Sequence, residues 1–184
     1  IQLQKDLSQA HESGVENLLV FTEDYRISGD SLQETMFFHV DAGKLGSVLQ
    51  HLRDGRTVDG NDLSAPVDFT MGSGVESPWG KNVPKQGMQE METMREIGTG
   101  YFLTTPIFDL DQFERFLKQI KTFDIPVIAE VMLLRNAAMA RFINRHFKAG
   151  LVPDWAVQKL DKAGDKRKAS VELFADTIKG LRDL

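Results

Sequence analysis

The sequence has 184 residues, of which 41% are hydrophobic and 27% charged, values typical of a soluble globular domain. Its net charge of −5 argues against nucleic acid or an anionic membrane as a partner, because the overall field would repel a polyanion. The absence of cysteine excludes disulfides and thiolate metal sites, and it fits a cytoplasmic enzyme. No apolar run approaches the roughly 18 residues that a membrane span needs.

Short apolar runs alternate with amphipathic segments in the first half of the chain. Leu3, Leu7 and Ala10 recur at helical spacing, and Gly14 should end that helix. A polar stretch too long for a tight turn follows the first apolar run and is a candidate functional loop. The predicted elements are a helix over 1–13, a strand over 17–22, a loop over 23–42, a helix over 43–53, a strand over 66–71 and a Gly- and Pro-rich loop over 72–80.

The same alternation continues in the second half. Met88, Met91 and Met94 form an apolar stripe before Gly98, and Asp109 or Asp111 can cap the helix after the third strand. The predicted elements are a helix over 84–97, a strand over 101–105, a helix with its stripe over 113–120, a strand over 126–132, and helices over 136–147, 154–160 and 166–182.

Strands that alternate with helices predict an α/β protein with a parallel sheet. Both a doubly wound sheet and a (β/α)8 barrel fit this order. The long loops after the strands favour the barrel, because function in barrels sits at the carboxyl ends of the strands. No G-x-G-x-x-G motif opens a helix after a strand, which disfavours a dinucleotide-binding sheet. A barrel needs eight strands and four are predicted here, so we expect about half of a barrel in one domain over 1–184.

Four segments carry a resemblance to a known family. The first is LVFTED at 19–24, followed by Gly29 and Asp30. The second is GTGYFLTTPIFD at 98–109, which resembles the pattern A-G-A-x-F-x-x-T-Q-P-x-F-D. The third is PVIAEVMLLRNAAMARF at 126–142, and the fourth is VPDW at 152–155. Their order and spacing resemble the methylenetetrahydrofolate reductase family.

The resemblance implies where the chain lies in the family's barrel. The four predicted strands correspond to the fourth to seventh strands, so the N-terminal strands and the last strand would lie outside 1–184. The catalytic glutamate that the family carries on its first strand would therefore also lie outside this chain.

The resemblance further implies a flavoprotein that reduces 5,10-methylenetetrahydrofolate to 5-methyltetrahydrofolate in one-carbon metabolism. The cofactor would be FAD, or alternatively FMN, with NAD(P)H as the electron donor, and folate would be the substrate. Asp24 would be the catalytic carboxylate near the flavin's pyrimidine side. We expect an oligomer or a subunit of a complex, and no metal, because His11, His39, His51 and His146 lack ligand spacing. The expected cofactor contacts are Thr22, Asp24, Tyr25, Gly29, Asp30, Gly72 and Thr105.

Substrate contacts are expected from three residues at or just beyond strand ends. Thr105 would contact both flavin and folate, an aromatic face at Phe108 suits a pterin ring, and Arg135 suits a carboxylate tail. Gly72 lies in a loop by this interpretation, where backbone amides could approach a phosphate or a ring edge; a plain turn is the alternative.

Two positions depart from the family pattern. Thr105 stands where the family has Gln, and a single hydroxyl cannot reproduce an amide's donor–acceptor pair. Met94 stands where the family often has a flavin-contacting Lys. Two other functions therefore stay open: a methyltransferase that binds methyl-folate without flavin, and a non-catalytic barrel subunit of a larger complex.

Overall fold

The computed structural model describes residues 2–20, 42–75, 85–146 and 150–184, and over these ranges the chain is an α/β protein. Helices and strands alternate as the sequence predicts. Their bounds are α1 Gln2–Glu12, β1 Asn17–Val20, α2 Ala42–Arg53, β2 Thr70–Val75, α3 Lys85–Glu96, β3 Tyr101–Thr104, α4 Leu110–Ile120, a 3₁₀ turn Lys121–Phe123, β4 Val127–Ile128, α5 Ala137–His146, α6 Asp154–Lys162 and α7 Lys166–Arg182.

The four described strands form one parallel sheet in the order β1-β2-β3-β4. Asn17 pairs with Thr70, Gly72 with Tyr101, and Phe102 with Val127, which sets the register of the three ladders. The prediction of a parallel sheet with its strands in chain order is confirmed. Parallel neighbours place all four carboxyl ends at one edge of the sheet.

The predicted bounds of two strands are wrong. The sequence predicts β2 over 66–71 with a loop from Gly72, but the strand runs from Thr70 to Val75. β2 begins only at Thr70 because the first residue of β1, Asn17, lies opposite Thr70. It passes through Gly72 and Gly74 because β1 and β3 pair with it on both sides. β4 was expected over 126–132, but its ladder stops at Ile128.

The sheet packs its helices against one face. Every second strand residue packs in the core on the helix side, because successive side chains of a strand point to opposite faces of the sheet. The residues on that face are Leu18, Val20, Met71, Val75, Phe102 and Val127. On the opposite face Leu19 is 37% exposed and Ile128 is 49% exposed. This second face therefore carries apolar side chains that the described residues leave partly uncovered.

Glycines with positive φ follow the ends of α1, α2 and α3, and they are Gly14, Gly55 and Gly98. Gly98 has φ +93°, a conformation that residues with a Cβ rarely adopt. The Gly98 N–H donates to the Arg95 carbonyl and the Thr99 N–H to the Met94 carbonyl, the hydrogen bonds of a Schellman motif. This motif turns the chain from α3 back toward β3.

The C-terminal helices α5, α6 and α7 form a core of their own beside the sheet. This cluster includes Phe108, Leu134, Ala140, Leu160 and Leu173. Within the part of the chain that the structure describes, no helix is long and apolar enough to cross a membrane.

Candidate functional site at the carboxyl edge of the sheet

Hydrogen bonds hold the ends of β2, β3 and β4 together. The buried hydroxyl of Thr104 accepts from the Glu130 N–H at 3.1 Å and donates to the Thr105 carbonyl at 2.9 Å. The Thr105 N–H donates to the Val75 carbonyl at 3.2 Å, and the Ile107 N–H donates to the Glu130 carbonyl at 2.9 Å. The carboxyl edge of the sheet is therefore fixed well beyond the last ladder pair.

Thr105 lies at this edge, directly after β3, and is half-buried. Its backbone is held on both sides by the bonds just described. The predicted position of Thr105, at the carboxyl end of a strand, is therefore confirmed. Its contacts with flavin and folate stay predictions.

Arg135 lies in the segment between β4 and α5 and is exposed. Its neighbours fix the backbone there: Leu134 is buried in the C-terminal core, and the Asn136 Oδ1 caps α5 by accepting from the Met139 N–H at 2.9 Å. An exposed guanidinium on a fixed backbone can bind a carboxylate through two parallel N–H donors.

Phe108 is not available as a stacking surface. It is 7% exposed and packs with Leu134 and Ala137 in the C-terminal core. The sequence reasoning placed Phe108 near a strand end but could not tell that α5 to α7 bury it. The next residue, Asp109, is the N-cap of α4, where its carboxylate accepts from the Gln112 N–H.

Gly72 is likewise not in a loop. It lies inside β2, paired with Leu19 and Tyr101, and the ring of Tyr101 covers the place where a Cβ would stand. Its backbone is part of a two-sided ladder, so it cannot present a free amide to a phosphate. The position of Gly72 thus contradicts the loop interpretation.

Met94 is 2% exposed and packs in the core between the sheet, α3 and α4. Its side chain is part of that core. Thr22, Asp24, Tyr25, Gly29, Asp30 and His39 lie outside the described residues. Among the residues that are described, no three His, Asp or Glu side chains come together as a metal site.

Glu130 is a residue of this edge that the sequence reasoning did not single out. It is half-buried, and burial raises the pKa of its carboxyl above the ordinary value of 4.5. A glutamate that interrupts the apolar run of 127–133 was a signal that could have found it.

Comparison with known families agrees with the resemblance seen in the sequence. Residues 1–183 match the family model described as methylenetetrahydrofolate reductase. The chain belongs to the methylenetetrahydrofolate reductase family. The match spans all four described strands and the helices between them.

Comparison with curated proteins finds no significant match. Among solved structures, this member of the methylenetetrahydrofolate reductase family is similar to a protein from Clostridium thermocellum that is described as binding two copies of 5-methyl-5,6,7,8-tetrahydrofolic acid. The two are 15% identical with a TM-score of 0.45, and the match covers 99% of this chain and 77% of that one.

Proposed function

We propose that this chain is part of an oxidoreductase that reduces 5,10-methylenetetrahydrofolate to 5-methyltetrahydrofolate, with a flavin as its cofactor and NAD(P)H as the electron donor. The observation that carries the proposal is the family match over residues 1–183. The polar residues Thr105 and Glu130 and the exposed Arg135, all on the carboxyl side of the sheet, are compatible with a ligand there.

The domain is, in this proposal, one arc of a (β/α)8 barrel over 1–184. Helices that pack on one face of a parallel sheet support a barrel, since a doubly wound sheet carries helices on both faces. The exposed apolar residues Leu19 and Ile128 lie on the other face, which in a barrel is filled by layers of side chains.

The described residues would serve mainly the folate. Thr105 would offer a hydroxyl to the ring system, and Arg135 would bind a carboxylate of the glutamate tail. Asp24, which lies outside the described residues, would favour the cationic iminium form of the substrate through its negative charge. A bound flavin would supply the hydride that turns the methylene carbon into a methyl group.

Only some of the described residues expected near a flavin could contact it. Of three described positions expected near it, Thr105 can donate or accept a hydrogen bond, whereas Gly72 is covered by Tyr101 and Met94 is buried in the core. The flavin would therefore depend on Thr105 and on residues 22–30.

The buried Met94 supports a second candidate function. A barrel of the same family that binds methyl-folate without flavin could pass the methyl group to an acceptor such as a corrinoid protein. A non-catalytic subunit of a complex would show neither flavin nor folate binding.

One set of measurements separates these functions. The absorption spectrum of the complete protein is recorded as purified without added cofactor, and again after reconstitution with FAD or FMN. Both spectra should show the visible bands of a bound flavin. NAD(P)H should bleach them anaerobically, and 5,10-methylenetetrahydrofolate should restore them. A colourless protein that binds 5-methyltetrahydrofolate would favour the methyltransferase, and a protein that binds neither ligand would contradict both enzymes.

A further inference from the structure

The backbone of Glu130 is fastened at the carboxyl edge through both of its polar groups. Its N–H donates to the Thr104 hydroxyl, and its carbonyl accepts from the Ile107 N–H. The Thr104 side chain is fully buried, so the contact is shielded from water. Residue 130 is therefore held in place although the β4 ladder has already ended.

Continued past Ile128, where β4 ends, the alternation of the strand would place Glu130 on the face away from the helices. Val127 and Ala129 pack against the helix-side core, and Ile128 between them is exposed on the opposite side. Leu103 and Ile128 form the last pair of the ladder, and beyond it the Glu130 N–H donates to the hydroxyl of Thr104, the residue before Thr105. Two polar residues, Thr105 and Glu130, thus lie near each other at the carboxyl edge of the sheet.

The environment of the carboxyl is partly desolvated, and its pKa is raised for that reason. No ion pair of Glu130 is present among the residues that the structure describes. A partly desolvated carboxylate at this edge is a strong acceptor for the N–H groups of a ligand.

We propose that Glu130 binds the N–H edge of the pteridine ring of a reduced folate, an inference that rests on the proposed folate-binding function of this site. The 2-amino-4-oxo-pyrimidine part of such a ring presents an amino group and a ring N–H side by side. A carboxylate accepts two parallel N–H donors, which matches this edge of the ring.

The proposal is tested on the complete protein by calorimetric titration with 5-methyltetrahydrofolate and with an analogue that lacks the 2-amino group. The wild type should bind the analogue about tenfold to a hundredfold more weakly than the parent compound. Glu130→Ala should lose a similar factor for the parent and should no longer distinguish the two compounds. Glu130→Gln, which keeps the shape but only one acceptor oxygen, should fall between them.

Glu172→Gln, an exposed position on α7, serves as the matched control and should bind like the wild type. Thermal unfolding of every variant shows whether it is folded. If the wild type binds the parent but Glu130→Ala and Glu130→Gln bind equally well and still discriminate against the analogue, the role of Glu130 is wrong while folate binding stands. If the wild type does not bind the parent compound, both the folate site and the role of Glu130 are wrong.

Discussion

The ring of Tyr101 lies over Gly72 across the β2–β3 ladder, and a Cβ at residue 72 would overlap the ring carbons. Gly72→Ala should therefore destabilise the fold by about 1–3 kcal/mol through overpacking. Urea denaturation measures this cost. In the background of Tyr101→Ala the same change should cost much less, because the ring is gone. An equal cost in both backgrounds would mean that the backbone of Gly72, and not the ring, sets the requirement for glycine.

Ser73 and Thr99 share a hydrogen bond of 2.5 Å between their hydroxyls, and both side chains are buried. Ser73→Ala should lower the free energy of unfolding by about 1–3 kcal/mol, because it leaves the Thr99 hydroxyl without this partner. The double variant with Thr99→Val should lose less than the sum of the two single losses, since it removes both polar groups. Additive losses in urea denaturation would argue against a coupled pair.

The raised pKa of Glu130 links stability to pH. The unfolded chain releases this proton near 4.5, whereas the folded protein keeps it to higher pH because burial disfavours the charge. The stability from this group is thus complete below 4.5 and is lost as pH rises through the folded pKa. Glu130→Gln stays neutral, so its Tm relative to the wild type should increase between about pH 4 and pH 7. A Tm difference that stays constant across this range would contradict the prediction.

The proposed role of Asp24 is tested by removing its negative charge. In the complete protein, Asp24→Asn should slow reduction of 5,10-methylenetetrahydrofolate by about tenfold to a hundredfold, because the cationic iminium form of the substrate loses a nearby carboxylate. The half-reaction with NAD(P)H should change less. Stopped-flow measurement of the two half-reactions decides this, with the exposed Asp59→Asn as control. Equal effects on both steps, or none, would make Asp24 a structural residue.

The order of the elements could be predicted from the sequence because its signals are local. Gly14, Gly55 and Gly98 follow the apolar stripes of three helices, and each adopts the positive φ that a helix end uses. A local pattern likewise predicts Asp109 or Asp111 as the N-cap of α4, and Asp109 is the cap. The four motif segments sufficed to indicate the family, since their order and spacing are properties of the chain alone.

The site could not be predicted to the same depth. Gly72 belongs to a strand because β1 and β3 pair with it on either side, and the ring of Tyr101 in β3 covers it. Both of these strands are distant from Gly72 in the sequence. Phe108 is a core residue because α5 to α7 pack over it. Glu130 is held at the carboxyl edge because Thr104 and Ile107, which are distant from it in the sequence, form hydrogen bonds with its backbone. The sequence by itself determined the elements and the family, because periodicity and capping act over a few residues. Only the tertiary structure decided which side chains are free to meet a ligand, because burial depends on contacts between distant parts of the chain.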